Sequence, residues 1–376
     1  MAVLTGCAAT RIQKKESFLS SLYRRIHYKA EGDYRIVDMF YATARNVKVG
    51  GDGKLSFDRN VADNMTFGTF SAKIDPGLSI GKMIPSMLKS KGLINLDGEH
   101  VSNMAAFEED LKAAVDSSPH KSLLILVFGF KDNFEITAIK SAYFSYLLDV
   151  NTPILMFDWP GDQKVRIRGY LRAARLADKS GEQLGKLIVG IVREVKPEHI
   201  WIIGSSLGCE VICEAFNYMY QHSDFADKER EIDEVILAAP DVRKESFKEH
   251  FKDKVTALSK KLTVYVSSND RALLMSEIIS GGDRLGRVEK PALRKHEQLD
   301  ETKDILYLKS LEPDLFEVVD VTPINTASYG HGYYLEAPEF YDDVYLRIFD
   351  QPSYANRRLY LLKYNDDLDY WVLRSD

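Results

Sequence analysis

The chain is poor in cysteine: three residues, Cys7, Cys209 and Cys213, in 376. That is too few for a disulfide framework, and with no CxxC spacing and no Cys/His cluster nothing in the sequence suggests a zinc site. There is no run of about 18 apolar residues, which excludes a membrane-spanning helix of ordinary length. There is no basic excess either. Lys and Arg number 50 against 56 Asp and Glu, a formal charge of −6, whereas a surface that binds nucleic acid is normally basic. Internal repeats and low-complexity tracts are also missing, which leaves an ordinary globular composition, 45% hydrophobic and 28% charged. Its length alone permits two or three domains.

Apolar stretches at Met39–Val47, Phe67–Ile74, Ser122–Phe128, Pro153–Trp159, His199–Ile203, Glu234–Ala239, Leu262–Ser267 and Leu315–Val321 read as eight strands. Several are continuous rather than alternating, as in strands covered on both faces of a parallel sheet. Helical stretches separate the last six: Glu135–Leu148, Tyr170–Lys196, Cys209–His222, Glu245–Ser259 and Ala272–Ser280. Such alternation predicts an α/β fold with a mostly parallel sheet of about eight strands and helices on both faces. The first two runs are less apolar and flank Gly50-Gly51-Asp52-Gly53, so they are expected to form an antiparallel edge. Charged Glu289–Asp304, with Pro291, reads as a surface loop, and Arg358–Leu373 as a terminal hairpin. The expected organisation is an N-terminal arm at 1–35, one catalytic domain at 36–350, and a C-terminal hairpin at 351–376 packed on it.

The strongest chemical signal is Gly204-Ser205-Ser206-Leu207-Gly208, which follows the strand His199–Ile203 and precedes a helix. This is the setting of a GxSxG nucleophile elbow, where a tight strand-to-helix turn tolerates only small neighbours. Ser206 is its central residue. A serine nucleophile needs a histidine base oriented by an acid, in the chain order Ser, acid, His. His250 and His296 sit in charged surroundings. His331, in Tyr329-Gly330-His331-Gly332-Tyr333, follows the last strand and is the expected base. Two carboxylates qualify as the acid. Asp270 ends the strand after the one that Asp241 ends, and is preferred, with Asp241 in reserve; either would also cap a helix. The oxyanion donors would be the backbone N–H groups of Leu207 and of Phe130, in the loop Val127–Asn133. The mechanism calls for no metal and no organic cofactor. Cys209 and Cys213, four apart, are expected to pack on one helix face.

Phe40-Tyr41-Ala42-Thr43-Ala44-Arg45, Phe67-Gly68, Gly129-Phe130 with Asn133-Phe134-Glu135, Phe157-Asp158-Trp159-Pro160, and Ser267–Leu273 followed by Arg284-Leu285-Gly286 are spaced along residues 38–350. With the GxSxG element, they resemble the α/β-hydrolase superfamily. Within it they are similar to the bacterial family catalogued as domain of unknown function 900, whose members are mostly esterase-like. The resemblance implies an α/β-hydrolase fold and supports Ser206, Asp270 and His331 together. The chain departs from the family pattern at Phe128 and Ser205, where histidines usually stand; neither belongs to the expected triad.

The expected activity is hydrolysis of a small-molecule carboxylic ester through an acyl-enzyme. A thioesterase, an amidase or an acyltransferase would use the same groups, and a non-catalytic scaffold on a hydrolase fold is the contrasting class. Arg166, Arg168, Arg172 and Arg175 read as a solvated helix face rather than an anion grip. No apolar insertion marks a lid. At the other end, Leu4-Thr5-Gly6-Cys7 resembles a bacterial lipobox, but six residues are too few for a signal. The expectation is a start upstream of Met1, with Cys7 as the lipidation site and the protein tethered in the bacterial envelope. A chance match would leave it cytoplasmic.

Overall fold

The structure is a computed structural model and describes residues 29–51, 54–78, 80, 91–163, 167–222, 231–288, 316–349, 359–365 and 368–374. Cys7, Arg166 and the loop expected at Glu289–Asp304 lie outside the described residues. A single sheet organises the rest. Its strands are β1 (Lys29–Glu31), β2 (Tyr34–Val49), β3 (Leu55–Ile74), β4 (Ile94–Ser102), β5 (Ser122–Val127), β6 (Ile154–Asp158), β7 (His199–Ser205), β8 (Ile232–Ala238), β9 (Ser259–Val266), β10 (Phe316–Asp320), β11 (Leu359–Asn365) and β12 (Leu368–Leu373). They run in the order β11-β12-β10-β9-β8-β7-β5-β6-β2-β3-β4, with β1 beside β2. From β2 across to β12 every neighbouring pair is parallel. The pairs β1/β2, β2/β3, β3/β4 and β11/β12 are antiparallel.

The expected mostly parallel α/β sheet is therefore present, but with twelve strands rather than about eight. The extra strands lie at the edges, where burial is one-sided and the sequence signal is weak. β4 reads INLDGEHVS and buries only its first residue fully. β12 joins the sheet through β10, so the terminal hairpin extends it.

The central strands explain their own composition. In β5 all six side chains are buried, with Leu123, Ile125 and Val127 facing one core and Leu124 and Leu126 the other. The first core packs under α1 (Met104–Ser117), α3 (Ile167–Gly190), α4 (Gly208–Tyr220) and α5 (Lys252–Leu258). The second packs under α2 (Phe134–Leu148), α7 (Tyr333–Glu336) and α8 (Pro338–Ile348). α6 (Arg271–Ser280) follows β9. Two helices carry π-turns: Ile191–Val195 ends α3, and Phe247–Phe251 leads into α5. No described helix is long and apolar enough to cross a membrane.

Candidate active site

Ser206 stands between β7 and α4 with φ of 53°, a left-handed conformation costly for a residue with a side chain. The elbow is held on both sides: Ser206 N–H donates to Ala238 O (3.0 Å), and Ser206 O accepts from Cys209 N–H (3.0 Å) and Asp241 N–H (3.1 Å). Of the flanking glycines, Gly208 is required by backbone contact and Gly204 meets a side-chain end. A Cβ on Gly204 would sit 2.3 Å from Ile212 Cδ1, and one on Gly208 would sit 2.4 Å from Val127 O. The helix start thus meets the β5 backbone with no room for a side chain at Gly208, and the turn lifts Ser206 to the carboxyl edge of the sheet.

Asp270 and His331, 61 residues apart, meet at that edge with Nδ1 2.7 Å from Oδ2. Asp270 is 1% exposed, and its other oxygen caps α6 by accepting Leu273 N–H at 2.9 Å. Helix cap and histidine partner are therefore the same carboxylate, one oxygen for each. His331 is aimed by its loop. Asn325 Nδ2 donates to Ser267 Oγ (2.8 Å) and Gly330 O (2.6 Å), and Thr322 Oγ1 accepts Ser268 N–H (2.9 Å). The Tyr333 hydroxyl accepts Ala239 N–H (2.7 Å) and donates to Tyr265 O (3.0 Å). Of the two glycines beside His331, only Gly330 is compelled: its φ is +69° and an added Cβ would lie 2.0 Å from Asn269 O. Among the described residues no hydrogen bond joins Ser206 Oγ to His331, whose imidazole is held by Asp270. Such contacts commonly close only around substrate.

Asp241 is differently engaged. Its carboxylate accepts from Tyr170 (3.1 Å to each oxygen) and from Ser276 Oγ (2.6 Å), and is paired with Arg284, whose Nε lies 2.8 Å from Oδ1 and donates to Ser276 Oγ. Burial pushes this carboxyl up while Arg284 pulls it down. The structure thus brings Asp270, not the reserve candidate Asp241, to His331.

The loop after β5 packs against the elbow, since a Cβ on Gly129 would lie 2.6 Å from Ser206 Cβ and 3.1 Å from Leu207 N. Among the described residues neither Leu207 N–H nor Phe130 N–H is donated to a protein acceptor. Cys209 and Cys213 are buried on α4, and burial raises both thiols well above their ordinary range, so they pack rather than react.

A cavity of about 710 Å³ opens beside the elbow between α3, α4 and the turn before α5. Leu207, Tyr170, Asp241, Arg284, Arg243 and Glu210 are among its walls; Ser206 and His331 are not. Glu210, Glu214 and Asp178 bring carboxylate oxygens within 4.8 Å of one another there, close enough to share a cation, and no further observation points to a ligand.

A family model, alpha/beta hydrolase of unknown function (DUF900), matches residues 103–347. The chain belongs to this family. The match spans α1 to α8 and includes Ser206, Asp270 and His331. No curated protein matches the chain. Among solved structures, a Lactobacillus plantarum protein assigned as a cell surface hydrolase is 12% identical over 61% of this chain and 90% of its own, with a TM-score of 0.33. A cold-adapted esterase from an Arctic intertidal metagenomic library is 11% identical over 77% of this chain and 97% of its own, with a TM-score of 0.32. At these scores neither likeness bears on the chemistry of this DUF900 hydrolase.

Two groups quoted in the sequence motifs were given no part in the site there: Tyr333, which ties the His331 loop to β8 and β9, and Arg45, buried at 1% exposure on β2. An arginine at the end of the buried stretch Tyr41–Arg45 of β2 needs buried partners for its charge.

Proposed function

We propose that the protein is a serine hydrolase of carboxylic esters. The carrying observation is the Asp270–His331 pair, 2.7 Å apart, at the same sheet edge as a serine held at φ 53°. In this reading Ser206 Oγ attacks the ester carbonyl and its proton passes to His331 Nε2. Asp270 fixes the tautomer with the proton on Nδ1 and stabilises the imidazolium. The tetrahedral oxyanion is received by Leu207 N–H and Phe130 N–H, whose lack of acceptors among the described residues supports that role. Collapse expels the alcohol, which takes the proton from His331. Water, deprotonated by the same imidazole, then attacks the acyl-enzyme to release the acid and free Ser206.

The test is reaction with a fluorophosphonate probe, followed by turnover of p-nitrophenyl esters of increasing acyl length. The native chain should be labelled once, and Ser206→Ala should abolish both labelling and turnover. Labelling that survives Ser206→Ala, or a folded native chain that is never labelled, overturns the proposal.

A further inference from the structure

The loop that carries Phe130 is held from the opposite edge of the parallel section by a buried arginine. Arg45, on β2, divides its guanidinium between the loop after β5, the end of β6 with the loop that follows it, and neighbouring β3. Its Nε donates to Asp158 Oδ2 (2.8 Å), one terminal nitrogen to Asp162 Oδ1 (2.5 Å) and Asp58 O (3.1 Å), and the other to Asp132 O (3.0 Å) and Trp159 O (2.6 Å). Thr43 on the same strand completes the grip by donating to Asp158 Oδ2 at 2.6 Å. Trp159, fixed by Arg45 through its carbonyl, donates its indole N–H to Phe128 O at 2.7 Å. Lys131 N–H donates to Gly161 O at 2.9 Å.

The accounting for residues 128–132 is then informative. The carbonyls at both ends are held, one by Trp159 and one by Arg45, and so is Lys131 N–H. Phe130 N–H, in the middle, donates to no described protein group. Lys131 has φ of 78°, a conformation that a non-glycine residue keeps only when its surroundings impose it. A lysine at position 45 could not reproduce this, because five donors in a planar fork are needed to reach carboxylates and carbonyls in different directions.

We propose that Arg45 and Trp159 are positioning residues for the hydrolysis: together they hold the 128–132 loop so that Phe130 N–H stands beside Ser206, unpaired and ready for the oxyanion. The inference rests on the proposed function, and the experiment separates the two. Native protein, Arg45→Lys and Trp159→Phe are compared by circular dichroism and thermal melting for folding, by steady-state kcat and KM on p-nitrophenyl acetate, and by the second-order rate of fluorophosphonate labelling. Folded Arg45→Lys should lose at least tenfold in kcat and in labelling rate, with KM changed less than threefold, since only the transition state uses the donor. Trp159→Phe, which removes one tie to the loop, should show the same split and serves as the test where Arg45→Lys does not fold. A folded variant whose kcat and labelling rate stay within twofold of native, whatever its melting temperature, shows a merely structural brace and overturns the inference. Failure of the native chain to label sinks the underlying function instead.

Discussion

Gly129→Ala is the sharpest perturbation of the loop beside the nucleophile. Gly129 does not need glycine for its backbone angles, since it is absent from the positive-φ glycines, so any effect of an added methyl is steric. That methyl would stand 2.6 Å from Ser206 Cβ, 2.9 Å from Ser205 O and 3.1 Å from Leu207 N, where ordinary contact begins at 3.4 Å. The neighbours are backbone and a Cβ, not the free end of a flexible chain. Loop and elbow must therefore part by roughly 1 Å, which turns a donor at about 2.9 Å into one beyond hydrogen-bond range. Losing one oxyanion donor costs about 3–4 kcal/mol of transition-state stabilisation, or about 10²–10³ in kcat, with little change in KM. Steady-state hydrolysis of p-nitrophenyl acetate, normalised to folded protein, measures it. A Gly129→Ala protein with kcat within threefold of native would refute the packing argument and the role given to the loop together.

Four further outcomes follow from particular contacts. Asp270→Asn keeps the helix cap to Leu273 N–H but loses the charge facing His331, so activity should fall by about 10⁴ with the melting temperature nearly kept. Asp241→Asn strands Arg284 and should lower stability far more than activity, and the reverse ranking by kinetics and melting would transfer the acid role. Burial, then Glu214, Asp178 and Asp241, push the Glu210 carboxyl from its ordinary 4.5 up to about 8. The folded state thus holds a proton that the unfolded chain releases, and stability falls as pH rises from 4.5 through about 8. Glu210→Gln should remove that slope and gain about 1–2 kcal/mol at pH 9 after solvent screening, converging with native near pH 4; superimposable melting curves across the range would exclude it. Arg347→Met leaves Glu234 and Glu317 buried without the guanidinium that now binds both, and should destabilise by about 3–5 kcal/mol in urea unfolding. It lies at the amino end of the strands, so activity per folded molecule should be unchanged.

How much of this was legible beforehand varied with the kind of signal. Runs such as Ser122–Phe128 and His199–Ile203 announce central parallel strands because both faces are covered and no polar alternation is needed. The elbow is legible because small residues stand at fixed offsets from Ser206, Gly208 compelled by the β5 backbone and Gly204 packed against Ile212. Edge strand β4 was missed because most of its side chains meet solvent. The stripe Phe107, Leu111, Val115 of α1 carries a helical period, yet it is short and set among charged residues. His331 could be selected by chain order, whereas the ties that aim it, from Asn325 and Tyr333, connect segments distant in sequence.

The sequence by itself determined the local chemistry: which runs become buried strands, where a strand must turn sharply into a helix, and hence which serine is lifted to the sheet edge. Those are decisions made within a few residues by sterics and periodicity. Only the tertiary structure decided which carboxylate meets His331, because Asp270 and Asp241 end adjacent strands and look alike until Arg284, Tyr170 and Ser276 claim one of them. It likewise gave Arg45 its partners, 87 to 117 residues away for the loops it ties, because only the order of strands in the sheet sets β2 beside β6 and the loop after β5 within its reach.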